Sequence, residues 1–303
     1  MAKKSLYLSG IGVTVILGMI LNWWFCCNTS PQAQENFVSK EPLPILTNPL
    51  RINDTDGGFV YNSSDNFNFK VSGFSLLEPI SPSVESFVDS LKSYVEVNPT
   101  KQIDITGFYK DTEKNTSAYP DLGIARAVSV KNYFVSKGIS AKQINTKGAL
   151  KDSLTLNDSI YVGPLLLDII TIKEDTSSAD AEILKAMGEK IKENPLVLYF
   201  RSGESNLDLS VEQREKIAAI SQYLDKAEDA SCIVTGHTDN TGLRATNMKL
   251  GIERANKMKD YLIQNGIAAD KIEVASKGPD SPIASNKTEE GRSKNRRTEV
   301  TIN

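Results

Sequence analysis

Residues 250–272 read LGIERANKMKDYLIQNGIAADKI, and residues 122–144 read LGIARAVSVKNYFVSKGISAKQI. Without a gap the two share LGI-RA, K-Y, GI-A and a closing isoleucine, and a Lys-Gly pair follows each (Lys147-Gly148, Lys277-Gly278). Self-similarity of this kind marks a repeated structural unit. It continues upstream, where DITG (104–107) matches IVTG (233–236) and FKVSGFSLL (69–77) matches YFRSGESNL (199–207). The chain therefore carries two copies of one unit, over 58–173 and 194–303.

Both copies read in one order. A short strand (Asn68–Val71; Val197–Arg201) precedes a helix (Ser83–Val95; Ser210–Asp225), and a buried strand follows (Gln102–Thr106; Ser231–Thr235). Then come a loop, a long amphipathic helix, a third strand after GI-A--I, and a last strand (Leu165–Ile172; Thr298–Ile302). Alternating strand and helix periods predict an α/β (α+β) class, a βαβαβ sandwich with helices on one face of a mixed sheet. Residues 174–193 are charged and helix-prone, which predicts a linker helix with Asp180, Ala181 and Glu182 near its start.

Ahead of the copies, Leu6–Cys27 holds no charged residue. As a helix those residues would span roughly 33 Å, enough to cross a hydrocarbon core. Trp23 and Trp24 lie near its far end, and Lys3 and Lys4 precede it. The basic flank keeps the N-terminus in the cytoplasm and sends the remainder across the membrane. A cleavable signal would want a shorter apolar run and a small-x-small exit, and a lipoprotein signal would want small residues before its cysteine; NWWFCC offers neither. Residues 1–28 thus read as cytoplasmic N-terminus and transmembrane anchor. Residues 29–57 read as an extended tether, since 28–50 hold four prolines and little periodicity.

The three cysteines make no disulfide framework, because Cys26 and Cys27 are vicinal and Cys232 is distant. A formal net charge of −3 argues against a nucleic-acid binder, which needs a basic face. The sole histidine, His237, sits in GHTDNTG (236–242) beside Asp239. No second histidine stands ready for a zinc site. Cys232 and His237 are an odd number of residues apart on one strand, which points them to opposite faces and argues against a dyad. The expectation is no enzyme, no metal and no cofactor.

The second copy resembles the OmpA-like peptidoglycan-binding domain family, which includes outer-membrane protein A, the peptidoglycan-associated lipoprotein and flagellar motor protein B. VTGHTDNTG (234–242), NMKLGIERANKMKDYLIQNGI (247–267) and PIASNKTEEGRSKNRRTEVTI (282–302) carry the likeness. It implies non-covalent binding of the diaminopimelate in a peptidoglycan stem peptide, through the loop aspartate and helix arginine, here Asp239 and Arg254. Thr238, Asn247 and Gly251 join the expected set, and the likeness also brings Asn286 and the NRR segment, with Arg297, to the groove. It gives the histidine no catalytic part. The residues are compatible with such a site on their own. Asn247, Gly251 and Arg254 are four and three apart and share one helix face. Gly251 would leave that face open to close approach, and a cation with an anion across a loop suits a zwitterion. From the residues alone, a structural Asp239–Arg254 ion pair that pins the loop to its helix is the favoured reading, and the resemblance turns it toward binding.

The first copy departs from the pattern. It keeps Asp111, displaced by one inserted residue, and Arg126, but Tyr119 stands at the place of Asn247 and Pro120 follows. The N-T--GR--NRR tail is missing. This copy reads as degenerate, a spacer or a surface for envelope protein partners. The whole reads as a single-pass inner-membrane protein whose periplasmic domains tether the envelope to the wall. The alternative is a wall-anchoring accessory subunit of a secretion, contractile or motor-type complex. An ion-conducting stator would need a carboxylate within the membrane span, and Leu6–Cys27 has none.

Overall fold

The computed structural model describes residues 16–21, 24, 48–54, 56, 58–172, 177–199 and 209–303. The chain divides into two units, Met1–Ile45 and Leu46–Asn303. In the first, residues 16–21 are helical; apart from these and Trp24, the expected membrane span lies outside the described residues, as do Cys26 and Cys27. Among the described residues no helix is long and apolar enough to cross a membrane.

The second unit opens with an antiparallel pair, β1 (Arg51–Asn53) and β2 (Val60–Asn62). β3 (Asn68–Lys70) leads to α1 (Pro82–Val97). Pro82 suits the first turn, where its missing N–H leaves no bond unmade. Val84, Phe87, Val88, Leu91 and Val95 recur at three- and four-residue steps and form its buried stripe. β4 (Lys101–Tyr109), α2 (Leu122–Ser136) and β5 (Ile144–Leu150) follow. The Asp121 carboxylate caps α2 by accepting the Ile124 N–H at 2.7 Å. A short hairpin of β6 (Leu156–Asn157) and β7 (Ile160–Val162) precedes β8 (Leu165–Thr171). β4 lies between parallel β5 and antiparallel β8, a mixed sheet. Phe87, Ile103, Ile105, Phe134 and Leu167 are buried in the core it shares with α1 and α2. Each such side chain contributes roughly 1.5–3 kcal/mol on leaving water, so these stripes decide which faces turn inward.

A connecting helix, α3 (Ser177–Glu193), precedes β9 (Leu196–Tyr199). α4 (Val211–Lys226) starts in a capping box between Ser210 and Gln213. Then come β10 (Cys232–His237), α5 (Arg244–Gln264), β11 (Ile272–Gly278), α6 (Glu289–Asn295) and β12 (Arg297–Ile302). Their sheet runs β11-β10-β12-β9, with β10 parallel to β11 and antiparallel to β12. The long helices of both repeats stop at a glycine, Gly138 (φ 99°) and Gly266 (φ 94°), in the left-handed region that glycine takes most cheaply.

The repeats differ in one respect that their similarity does not predict. β9 joins the main sheet by pairing with β12, whereas β3 pairs with β7 in a separate sheet, β3-β7-β6. The cause is the changed tail of the first repeat: residues 154–162 form a hairpin, turned at Asp158 (φ 53°), that claims β3 as its third strand. The repeats also meet. Ala118 lies in the second repeat's core, and buried Lys131 pairs with Asp225 at 2.6 Å.

Candidate ligand-binding site

β10 ends in a register shift between Gly236 and His237, and the chain then loops to α5. Thr238 ties that loop to β11 by donating its N–H to the Gly278 carbonyl at 2.9 Å. Its Oγ1 donates to the Asp239 carbonyl at 2.8 Å. Asn247 closes the loop from the helix side, its Nδ2 donating to the Thr241 carbonyl at 3.0 Å.

Asn247, Gly251 and Arg254 do lie on one buried stripe of α5. Gly251, however, is not an open gap for a ligand. A Cβ there would overlap Ser276 Oγ, and a Cβ on Gly236 would overlap the Gly251 carbonyl oxygen. The two glycines let helix and strand backbones touch, and Gly107 with Gly123 do the same in the first repeat. The expectation of close ligand approach at Gly251 is corrected accordingly: that space holds β10 and β11.

The Asp239 side chain accepts Arg296 Nη1 at 2.9 Å and the Thr241 N–H at 2.9 Å, and the Thr241 hydroxyl bonds to it as well. Burial opposes its ionisation, but those donors outweigh burial and hold its carboxyl below the usual carboxylate range. Arg254 is buried and donates Nη1 to the His237 carbonyl at 3.0 Å. Burial first, and then the neighbouring Arg296 charge, push its guanidinium below the ordinary value, while Asp239 acts in the other direction. The loop mouth thus gathers two guanidiniums beside one buried carboxylate. Exposed Glu289 accepts Arg296 Nη2 at 2.8 Å on the outer side.

Arg296, which the sequence reading did not single out, is the member of the NRR pair at Asp239. Arg297, the expected one, is 2% exposed, gives Nε to Glu299 at 2.7 Å and reaches the Ser281 carbonyl at 3.3–3.4 Å. The two arginines straddle the end of α6 and the start of β12, so they leave the backbone in different directions. Asn286 also acts at one remove: its Oδ1 accepts Asn295 Nδ2 at 2.8 Å, and Asn295 Oδ1 accepts the N–H groups of Ile283 and Ala284. Together they set the loop that leads into α6.

His237 is buried, and neither ring nitrogen has a hydrogen-bond partner; Nε2 stands 3.7 Å from Glu299. His237 and Arg297 beside it bring the Glu299 carboxyl down to about 2. Cys232 packs in the apolar core, where burial pushes its thiol up to about 12. A cavity of about 480 Å³ lies between α3 and α4, lined by Ile183, Met187 and Ile220, and none of the residues named above borders it.

In the first repeat the acid at Arg126 is Glu113, at 2.5 Å, while Asp111, the expected counterpart of Asp239, is exposed.

The OmpA family model matches residues 68–159 and 199–296, one match in each repeat. Over 101 residues the chain is 39% identical to the peptidoglycan-binding protein ArfA of Mycobacterium tuberculosis, covering 33% of this chain and 31% of that protein. Over 94 residues it is 42% identical to outer membrane protein A of Bordetella avium, covering 31% and 48%. The chain thus spans less than half the length of these curated relatives. Among solved structures, the peptidoglycan-associated lipoprotein from Burkholderia pseudomallei matches 35% of this chain and 89% of its own, at 25% identity and a TM-score of 0.32.

Proposed function

From a chain that belongs to the OmpA family, with a match in each of its two repeats, we propose a protein that holds peptidoglycan non-covalently through its second repeat, residues 194–303. The ligand is the free end of diaminopimelate in the stem peptide, a carboxylate and an ammonium on one carbon. The observation that carries this reading is that buried Arg254 and Asp239 stand together at the mouth of the loop, with half-buried Arg296 on Asp239. Arg254 takes the carboxylate with its planar fork. Asp239 takes the ammonium: a carboxylate has about four lone-pair positions, and Arg296 with the Thr241 N–H and hydroxyl leaves about one open. Asn247 and Thr238 fix the loop that sets the spacing between them.

The same proposal assigns residues 1–28 to a single-pass anchor in the inner membrane and 29–57 to a tether. It takes 58–173 as a repeat that does not hold the wall, 174–193 as the linker helix, and places both repeats in the periplasm. Leu6–Cys27, free of charge and preceded by Lys3 and Lys4, supports that placement. Nothing at His237 supports catalysis, since its nitrogens touch no nucleophile. Co-sedimentation of the full chain with isolated sacculi tests the proposal. The parent should pellet with the wall and a folded Asp239→Asn chain should stay in solution; equal pelleting of the two would overturn the site.

A further inference from the structure

Arg126 is fully withdrawn from solvent, and its partner Glu113 has a side chain only 1% exposed. Burying such a pair is costly unless nearly every donor and lone pair is met. Here four of the five guanidinium N–H donors and both carboxylate oxygens are met. Arg126 Nη2 donates to Glu113 Oε1 at 2.5 Å and Nη1 to Oε2 at 3.1 Å, two parallel bonds. Nη1 also reaches the Phe108 carbonyl at 2.7 Å, and Nε the Gly73 carbonyl at 3.0 Å. The carboxylate accepts two main-chain N–H groups besides, Ser72 at 2.8 Å and Lys110 at 2.9 Å. A guanidinium fork with two backbone amides is the setting in which proteins hold a bound carboxylate.

Arg126 and Arg254 occupy equivalent places in the repeat, and each gives Nη1 to the carbonyl of the residue after the strand glycine, Phe108 or His237. We propose that the first repeat contains a carboxylate-binding site, built of Arg126 and the N–H groups of Ser72 and Lys110, which the chain fills with its own Glu113. The inference rests on reading Arg254 as the carboxylate-holding group of the second repeat. A filled site excludes an outside ligand and leaves the loop free for another task.

That task is visible in the same loop. Asn115 shapes it, its Nδ2 donating to the Tyr119 carbonyl at 2.8 Å and its Oδ1 accepting the Ser117 N–H at 2.9 Å. The Ala118 N–H then donates to Asn265 Oδ1 at 2.7 Å, and the Tyr119 hydroxyl to the Asn265 carbonyl at 2.9 Å, both at the end of α5. Tyr119 stands at the place of Asn247, the residue that closes the loop in the second repeat. Glu113 thus pins a former ligand loop as the seat on which the second repeat sits.

Truncating Glu113 should open a cavity of carboxylate size beside Arg126. The test is the thermal midpoint of the full chain, parent and Glu113→Ala, in sodium formate and in sodium chloride of equal ionic strength. The variant should melt below the parent and recover about 3–6 °C in formate once formate exceeds its dissociation constant roughly tenfold. The parent, Glu113→Gln (which keeps the space filled) and the double variant Glu113→Ala/Arg126→Met should respond to formate and chloride alike. If Glu113→Ala gains no more from formate than from chloride, or if all the variants gain equally, the self-filled site is refuted. Should Glu113→Ala fail to fold in chloride, refolding yield in formate decides the matter the same way: recovery supports the site, and failure in both salts overturns it. Sacculus binding by the parent is read separately. A formate response without wall binding would therefore overturn only the proposed function, and wall binding without a formate response only this inference.

Discussion

Replacing Arg296 with glutamine isolates the contact that joins α6 to the ligand loop. The Arg296–Asp239 pair is 2.9 Å long, with side chains 13% and 12% exposed. Breaking a fully buried pair by removing one partner costs about 3–5 kcal/mol, and an exposed pair contributes about 0–1 kcal/mol. With roughly one-eighth of each side chain in water, and glutamine able to return one neutral hydrogen bond, the loss should be about 2 kcal/mol. For a folded unit of this size that lowers the thermal midpoint by about 4–8 °C. The dependence on pH is the sharper signature. The donors to Asp239 outweigh its burial and place its folded pKa below the unfolded one, near 3.9. Stability from such a group is complete above the unfolded value and is lost as pH falls through the lowered one. The gap between parent and Arg296→Gln should therefore be full at neutral pH and close below about pH 4, as followed by denaturant unfolding across that range. A gap that stays constant down to pH 2.5 would show that the variant acts through packing and that the ion pair contributes nothing.

Gly236→Ala should destabilise by about 1–3 kcal/mol or more, because its Cβ would meet the Gly251 backbone oxygen; a neutral result in urea unfolding would refute the contact between the helix and strand backbones. His237→Phe should leave stability within about 1 kcal/mol of the parent, because relief of two buried nitrogens without hydrogen bonds offsets the loss of the imidazole that helps hold the Glu299 carboxyl low, and phenylalanine is the residue type at the equivalent position, Phe108. A loss of sacculus binding in that folded variant would assign the imidazole a ligand contact that the structure does not give it. Tyr119→Phe removes one buried hydroxyl donor between the repeats and leaves the Asn265 carbonyl short of a partner, which should cost about 1–2 kcal/mol in the same unfolding measurement.

The repeat was legible because it repeats patterns that local physics dictates. The apolar steps of α1 and α4 and the apolar runs of β4 and β10 place the expected helices and buried strands within a few residues of their observed bounds. What sequence could not supply is decided between elements. Gly251 reads as room for a ligand, because nothing local reveals that Ser276 and Gly236 fill it. The NRR run offers two arginines, and only the junction of α6 with β12 sends Arg296 to Asp239 and Arg297 to Glu299. Alignment offers Asp111 as the first repeat's acid, but Asp111 is exposed and Glu113 stands at Arg126. The separation of β3 from the main sheet depends on a hairpin that has no counterpart in the second repeat.

The most direct measurement is calorimetric titration of the full chain with a stem peptide carrying diaminopimelate, set against the same peptide carrying lysine. The lysine side chain ends in an ammonium alone, so it offers Asp239 a partner and Arg254 none. Saturable binding of the diaminopimelate peptide is expected, with the lysine peptide bound at least tens-fold more weakly. A folded Asp239→Asn chain should lose tens- to thousands-fold in affinity, about 2–5 kcal/mol, because the ligand's ammonium is left buried and unpaired. A folded Arg254→Lys chain should also bind more weakly, because an ammonium lacks the planar fork that takes a carboxylate by two parallel bonds. Equal binding of both peptides, or variants that bind like the parent, would contradict the claim that Asp239 and Arg254 hold the two ends of one zwitterion.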